Sequence, residues 1–379
     1  MKTNLFKYQN NSWTSKSVLK ENEYQQIQLV LCFACKEIAV LPEIYQETKT
    51  MFPNAEIAIS STAGEIYQEE VYDNSLVAVA INFDKTEIKT ASVNIRDFET
   101  SFDAGAGLIK KLPPDDLAYI LILSDGNLVN GSQLVKGFNA VTEKKILITG
   151  GLAGDGDRFQ STVLGLNEPP TEGNVIAIAF YGKNIIIGHG SEGGWQMFGP
   201  DREVTRSFNN NLFEIDNTSA FDLYRKYLGP FEDNVPISTL LFPLGVTLPG
   251  YSKPLVRTIL SLNKENSSMI FAGDVPQGSQ VRFMKASTNN LIYAAEIAAK
   301  KAYQIAKLQP DLTLLISCIG RKLIMGPRVD EEIEAVTSFN EYKSNTIGFY
   351  AYGEISPFND EIECQLNNET MTVTAFYEL

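Results

Sequence analysis

The chain has 379 residues, 44% of them hydrophobic and 21% charged, enough apolar material for more than one core, so two domains are expected. Its 46 acidic against 32 basic residues give a formal charge of −14, which repels nucleic acid and anionic lipid, and no Lys/Arg cluster offsets it. No stretch approaches the length of a membrane span, the start lacks the apolar core of a signal peptide, and four cysteines are too few for a disulfide framework, so a cytoplasmic location is expected.

In chain order, residues 1–24 read as a polar leader with an edge strand near Ser12 to Val18. Ile27 to Phe33 reads as a buried strand, and Glu37 to Met51 as a helix with Pro42 near its start and Pro53 past its end. Strands ending at Ser61, from Leu76 to Phe83 and from Glu87 to Ile95 complete a unit. The order recurs as strand Leu117 to Leu123, helix Ser132 to Val141, strand Lys145 to Thr149, and the pair Val175 to Tyr181 and Asn184 to Gly190. Leu76 to Ala80 aligns with Val175 to Ala179, so an internal duplication (about 25–95 and 117–190) fills a first domain over 25–199. Its mixed sheets, flanked by helices, are expected to stack as α-β-β-α layers or to merge.

After Gly199-Pro200 a hairpin is expected around Asn209-Asn210, then a helix from Ser219 to Leu228 that Gly229-Pro230 stops. Strands follow at Thr239 to Val246, Val256 to Leu262, Ser268 to Ala272 and Gln280 to Lys285, and the longest helix runs from Thr288 to Lys307. A third version of the opening unit closes the chain with strand Leu312 to Ser317, helix Glu331 to Phe339, strand Thr346 to Tyr350 and strand Thr370 to Phe376. The second domain therefore spans 200–379, and the fold class is α/β in two domains.

Each unit carries a glycine followed by an acid at the end of an apolar strand: Gly64-Glu65, Gly154-Asp155 and Gly353-Glu354. Glycine there permits a positive-φ exit or a close backbone approach, and the acid lies at the strand's mouth. A turn glycine beside a solvated acid is the plainer reading of any one copy.

The chain has one histidine, His189, so Ser-His-acid, Cys-His and two-His metal mechanisms must pass through it or are excluded. Cys32-Phe33-Ala34-Cys35 leaves a strand and enters a helix, where a redox pair could sit, although core cysteines are the plainer reading. No P-loop is present, which disfavours nucleotide enzymology. Beyond the strand ends of the third unit, Cys318 and Arg321 face Tyr350, Tyr352, Gly353 and Glu354 across a crevice. Arg321 for a ligand carboxylate, Glu354 for an ammonium, the tyrosines as walls and Cys318 as floor suit a small amino-acid-like zwitterion, with Arg257 as a second cation. A structural ion pair of Arg321 with Glu354 is the alternative.

Five segments together resemble the FIST-domain family: Ser61-Thr62-Ala63-Gly64-Glu65, Gly151-Leu152-Ala153-Gly154-Asp155, Phe271-Ala272-Gly273-Asp274, Ser317-Cys318-Ile319-Gly320-Arg321 and Tyr350-Ala351-Tyr352-Gly353-Glu354. The resemblance covers nearly everything after residue 25 and implies a sensor of signal transduction that binds a small ligand and performs no catalysis. Some members bind haem, sense nitric oxide and control a partner histidine kinase, so a separate output partner is implied. No cofactor is expected, with haem on His189 as the alternative. Where many relatives place a histidine before the Asn-x-Thr of the last strand, this chain has Asn367, which weakens that alternative. A redox enzyme using Cys32 and Cys35 is the remaining rival.

Overall fold

A computed structural model describes residues 1–228, 237–263, 266–306, 308–339, 341, 343–357 and 362–379. The chain opens with β1 (Lys2–Gln9), β2 (Ser12–Ser15) and the short α1 (Glu21–Tyr24). The first unit follows: β3 (Leu29–Ala34), α2 (Lys36–Ala39), α3 (Pro42–Met51), β4 (Glu56–Ser61), the ribbon β5 (Glu65–Tyr67) and β6 (Glu70–Tyr72), β7 (Leu76–Asn82) and β8 (Glu87–Asn94). After α4 (Ser101–Lys110) the second unit comprises β9 (Leu117–Ser124), α5 (Gly131–Thr142), β10 (Leu147–Leu152), β11 (Leu164–Leu166), β12 (Asn174–Tyr181) and β13 (Ile185–Glu192).

An insertion separates the second unit from the third. It contains β14 (Gln196–Phe208), β15 (Asn211–Ile215), β16 (Thr218–Ser219), α6 (Ala220–Leu228), α7 (Ile237–Leu241), β17 (Leu244–Thr247), β18 (Leu255–Arg257), β19 (Ile259–Asn263), β20 (Ser268–Phe271) and β21 (Gln280–Lys285). These strands form one eight-stranded sheet, with its own core around Val204, Tyr224, Phe271 and Phe283. The third unit is α8 (Thr288–Tyr303), β22 (Leu312–Cys318), α9 (Ile319–Met325), α10 (Asp330–Phe339), β23 (Asn345–Ala351), β24 (Gly353–Pro357), β25 (Cys364–Asn367) and β26 (Met371–Glu378).

The three units exchange strands in a closed cycle. In each, the first two long strands pair in parallel and the last lies antiparallel to the first: β3 with β4 and β7, β9 with β10 and β12, β22 with β23 and β26. The segment after each Gly-acid glycine then leaves its own unit. The strand β5 pairs with β23, β11 with β4, and β24 with β10. On the opposite edge β8 pairs with β12, β13 with β26, and β1 with β7. Three six-stranded sheets result, each built from more than one unit or from the chain's start.

Alternation along the strands explains how the sheets pack. Leu31 and Phe33 join Val79, Leu121, Leu123, Ile178, Leu314, Ile316 and Phe349 in a core shared by all three units, where Phe33 stacks on Phe349 at 4.7 Å. Their neighbours Val30 and Cys32 face outward, onto the cluster that contains Ile44 of α3. On the other two sheets the outward residues meet α4, α5, α8 and α10.

Several expectations are corrected. Residues 1–24 are no leader: β1 is an integral strand beside β7, because Leu5 and Phe6 are both buried, and the Met1 amine pairs with Asp84 and Glu378 at 3.0 and 2.9 Å. Helix α4 goes unread in the sequence, since Gly105 and Gly107 lower its propensity. A Cβ on Gly105 would stand 2.3 Å from the Leu134 carbonyl oxygen, so the glycine is what lets α4 lie against α5. Residues 237–241 form α7, not the start of a strand, and the strand expected from Val256 to Leu262 is broken between β18 and β19. Ser219 Oγ accepts from the Asp222 amide and so caps α6; the long helix α8 ends at Tyr303, short of the expected Lys307, and the expected stop at Gly229-Pro230 lies outside the described residues.

Candidate functional site

The three acids of the Gly-acid steps are all buried: Glu65 and Glu354 lie in strands that cross into a neighbouring unit, and Asp155 in the segment ahead of β11, which crosses too. Glu65 accepts from Thr62 Oγ1 at 2.6 Å and from Ser75 Oγ at 2.7 Å. Burial pushes its carboxyl up to about 7, against the lowering effect of those bonds. Asp155 accepts from the amides of Gln160 and Ser161, both at 3.1 Å, and from the Tyr352 hydroxyl. Glu354 Oε2 accepts from the amide and hydroxyl of Thr370 at 3.0 and 2.8 Å, whereas its Oε1 has no partner. Burial holds Glu354 well above the carboxylate range, helped by the nearby Glu369 charge.

Arg321 does not offer itself to a ligand. It is fully buried, its Nε and Nη2 donate to Glu332 Oε2 at 3.0 and 2.8 Å, and its remaining donors go to the carbonyls of Gly193, Leu291 and Glu369. The five guanidinium donors are thus used within the chain. Its ion-pair partner is Glu332 of α10, not Glu354. Tyr350 donates to the same carboxylate, Oε1, at 2.7 Å, so it braces an ion pair and walls no pocket.

The other expected residues scatter. Tyr352 reaches across to the second unit, donating to Asp155 and stacking on Phe159 at 4.4 Å; its ring lines a small cavity of about 340 Å³. Gly353 lies in β24, where a Cβ would stand 3.0 Å from Leu366 Cδ1 and 3.4 Å from Asn368 Nδ2. Cys318 is buried at the start of α9, its thiol pushed well up by burial and by Glu354 and Glu369. Arg257 is turned inward, onto the carbonyls of Asp274 and Leu366. What gathers around Glu354 is Asn368 and Glu369, on the turn before β26, and Cys318, at the end of β22. Sequence reasoning passed over Asn368 and Glu369 because a polar turn before a strand reads as solvated.

A cavity of about 1020 Å³ lies between β13, the C-terminal end of α8 and the eight-stranded sheet. Ile187, Trp195, Met284 and Ile305 give it apolar wall, and Lys253, Glu192 and Lys301 give it charge. Glu192 and Lys301 are paired at 2.6 Å, while Lys253 makes no ion pair among the described residues. Thr370, the residue that holds Glu354, forms part of its floor.

A family model described as the FIST N domain matches residues 28–218, and one described as the FIST C domain matches residues 220–357. The chain belongs to the FIST family. FIST domains are sensor domains of signal transduction, suggested to bind small ligands. No curated protein matches this FIST chain. Among solved structures, a cyanuric acid hydrolase from A. caulinodans aligns at 5% identity and TM-score 0.38 over 93% of this chain and 91% of that one. A second cyanuric acid hydrolase, described as an evolutionary innovation by structural concatenation, aligns at 10% identity and TM-score 0.35 over 100% and 99%. Similarity at that level carries no argument about activity.

His189 of this FIST protein lines the large cavity from β13, and its Nδ1 is buried without a partner. Burial and the Lys301 charge push its imidazole down to about 4, so it is neutral at physiological pH, the form that ligates a metal. A haem in this cavity would take His189 as its ligand, with Ile187, Trp195 and Met284 as apolar wall. The cysteine pair fits its redox role poorly. Cys32 points into the outer core of the first unit with its thiol pushed up to about 12, and burial raises Cys35 to about 11, so neither supplies a thiolate near neutral pH. All four cysteines are free. No helix among the described residues is long and apolar enough to cross a membrane.

Proposed function

We propose that this protein is a cytoplasmic, non-catalytic sensor that binds a small amino-acid-like metabolite in the 1020 Å³ cavity and signals through a separate output protein such as a histidine kinase. The observation that carries the reading is where the cavity lies: β13 belongs to the interleaved sheets, while Met197, Val256 and Met284 belong to the eight-stranded sheet. A ligand touching both bodies can favour one packing of them over another, which is all that a binding-driven signal requires. Lys253 suits a ligand carboxylate, Glu192 an ammonium once it leaves Lys301, and Trp195 an apolar side chain. Free cysteines fit a reducing compartment, and the charge of −14 fits neither nucleic acid nor anionic lipid as partner.

The test is a thermal-shift and calorimetric screen of amino acids and related metabolites. One zwitterion should stabilise the protein, and Lys253→Ala and Glu192→Gln should each weaken it about tenfold, the equivalent of ~1.4 kcal/mol. Stabilisation that survives both substitutions unchanged would move the ligand elsewhere. His189 favours a second reading, a haem-bound gas sensor. There His189 would hold the iron, haem would supply a binding position for a diatomic gas, and the β13 wall would transmit the change. A Soret band on reconstitution that His189→Ala abolishes supports it, and its absence removes it.

A further inference from the structure

The Gly-acid step occurs three times, so two copies serve as an internal control for the third. Both oxygens of Glu65 are met by Thr62 and Ser75, and both oxygens of Asp155 by Tyr352, Gln160 and Ser161. The third copy alone is left open. Glu354 Oε1 has no partner, nor has Glu369 Oε2, nor has either amide atom of Asn368, although all three residues are fully buried. Asn368 Nδ2 lies against Gly353, the neighbour of Glu354, and Glu369 interacts with Glu354 through space. Buried carboxylate and amide atoms are ordinarily all hydrogen-bonded, so a concentration of unpartnered ones at one of three equivalent positions marks a place built for something that donates.

Charge points the same way. Glu332 and Arg321 neutralise each other as an ion pair. Glu354 and Glu369 then remain as two acids with no basic side chain of their own; Thr370 and Thr258 supply hydroxyls only. No group of three or more His, Cys, Asp or Glu side chains that could hold a metal occurs among the described residues. Two carboxyls and an amide do match a nitrogen that carries several N–H donors and a positive charge.

We propose that Glu354, Asn368 and Glu369 form an enclosed subsite for a compact nitrogen cation, an ammonium or amidinium group. It opens from the large cavity past Thr370, which both lines that cavity and binds Glu354 Oε2, and past Trp195, whose Nε1 donates to the Glu369 carbonyl at 3.0 Å. This deepens the sensor reading and rests on it for the route of entry: a second nitrogen cation on the metabolite passes through the floor, while Lys253 and Glu192 keep its carboxylate and first ammonium. Glu369 is raised to about 7 by burial, and Glu354 well above the carboxylate range. Cation binding would therefore expel protons, with Arg321, Glu332 and the Cys318 thiol as the other titratable groups facing the subsite.

Methylammonium chloride is the probe, with tetramethylammonium chloride, which has no N–H donor, as the ionic-strength control. Methylammonium should raise the unfolding temperature of the wild type and of Glu65→Gln above the control, more strongly at pH 8 than at pH 6. Glu354→Gln and Asn368→Leu should weaken the effect at least tenfold in concentration, while Asn368→Asp, which adds an acid, should keep it. Circular dichroism checks that each variant is folded. Equal behaviour of the two salts in the wild type, or an undiminished methylammonium effect in folded Glu354→Gln, overturns the subsite. If an amino acid binds but methylammonium does not, the cavity reading stands and this inference falls. If methylammonium binds selectively and no amino acid does, the subsite stands and the amino-acid reading falls.

Discussion

Arg321 shows how far residue type can mislead when its neighbours are unknown. An arginine beyond a strand end suggests a carboxylate clamp, but here the carboxylate it clamps is Glu332, supplied by the chain itself. Removing one member of a buried pair strands the other, so Arg321→Ala or Glu332→Gln should each destabilise by ~3–5 kcal/mol, and an apolar double substitution by much less than the sum. Urea unfolding of the three variants measures this. Glu65 offers a second expectation, in pH. Its folded pKa is raised from 4.5 to about 7, so it contributes stability fully below pH 4.5, and that contribution is lost as pH rises through 7. Glu378 has the opposite sign: despite burial, hydrogen bonds from Thr86, Asp84, Lys85 and the N-terminus hold it down to about 2, and its contribution is lost as pH falls through 2. Across pH 4.5 to 7 the unfolding temperature of Glu65→Gln should therefore decline less than that of the wild type. Parallel profiles would show that Glu65 ionises normally.

At the scale of elements, the strand β13 and helix α8 set the wall of the cavity. Ala294, Ala298 and Ala302 give α8 a small-residue face, and a Cβ on Gly188 or Gly190 would stand 1.9 or 2.0 Å from the carbonyl oxygens of Ala302 and Ala298. The glycines are needed because backbone, not a movable side chain, is what they meet. Gly190→Val should push α8 away, destabilise by ~1–3 kcal/mol and weaken ligand binding in the same variant. Thermal unfolding and calorimetry together test it; a loss of stability with unchanged binding would separate the cavity from this junction. The alanine face of α8 and nearly all long strands were legible from periodicity. The helices α4 and α9 and the short β24 and β25 were not, since two glycines, a helix of seven residues and strands of four or five residues leave too little period to read.

For the whole molecule, the cyclic exchange of strands makes the two family domains inseparable. The sheet of β9, β10 and β12 draws β24 and β25 from the C-terminal part, and the sheet of β22, β23 and β26 draws β5, β6 and β13 from the N-terminal part. Expressed separately, residues 1–219 and 220–379 should each fail to show cooperative unfolding, whereas the two together should reconstitute a complex with the native profile. Circular dichroism and size-exclusion chromatography decide it, and an independently folded half would contradict the exchange. The same topology explains why Glu65, Asp155 and Glu354 are buried: each lies where the chain crosses from one unit into the next.

The sequence by itself determined the repeated unit, its three Gly-acid steps, the family and the single imidazole, because these rest on local pattern and composition. Only the tertiary structure decided that the third copy joins the first two in a ring and that Lys2–Gln9 is a strand of it. It also decided that Arg321 is consumed by Glu332, and that the unpartnered atoms fall on Glu354, Asn368 and Glu369. Those facts depend on which strand edges meet and which buried groups find partners, and neither is fixed by spacing along a chain.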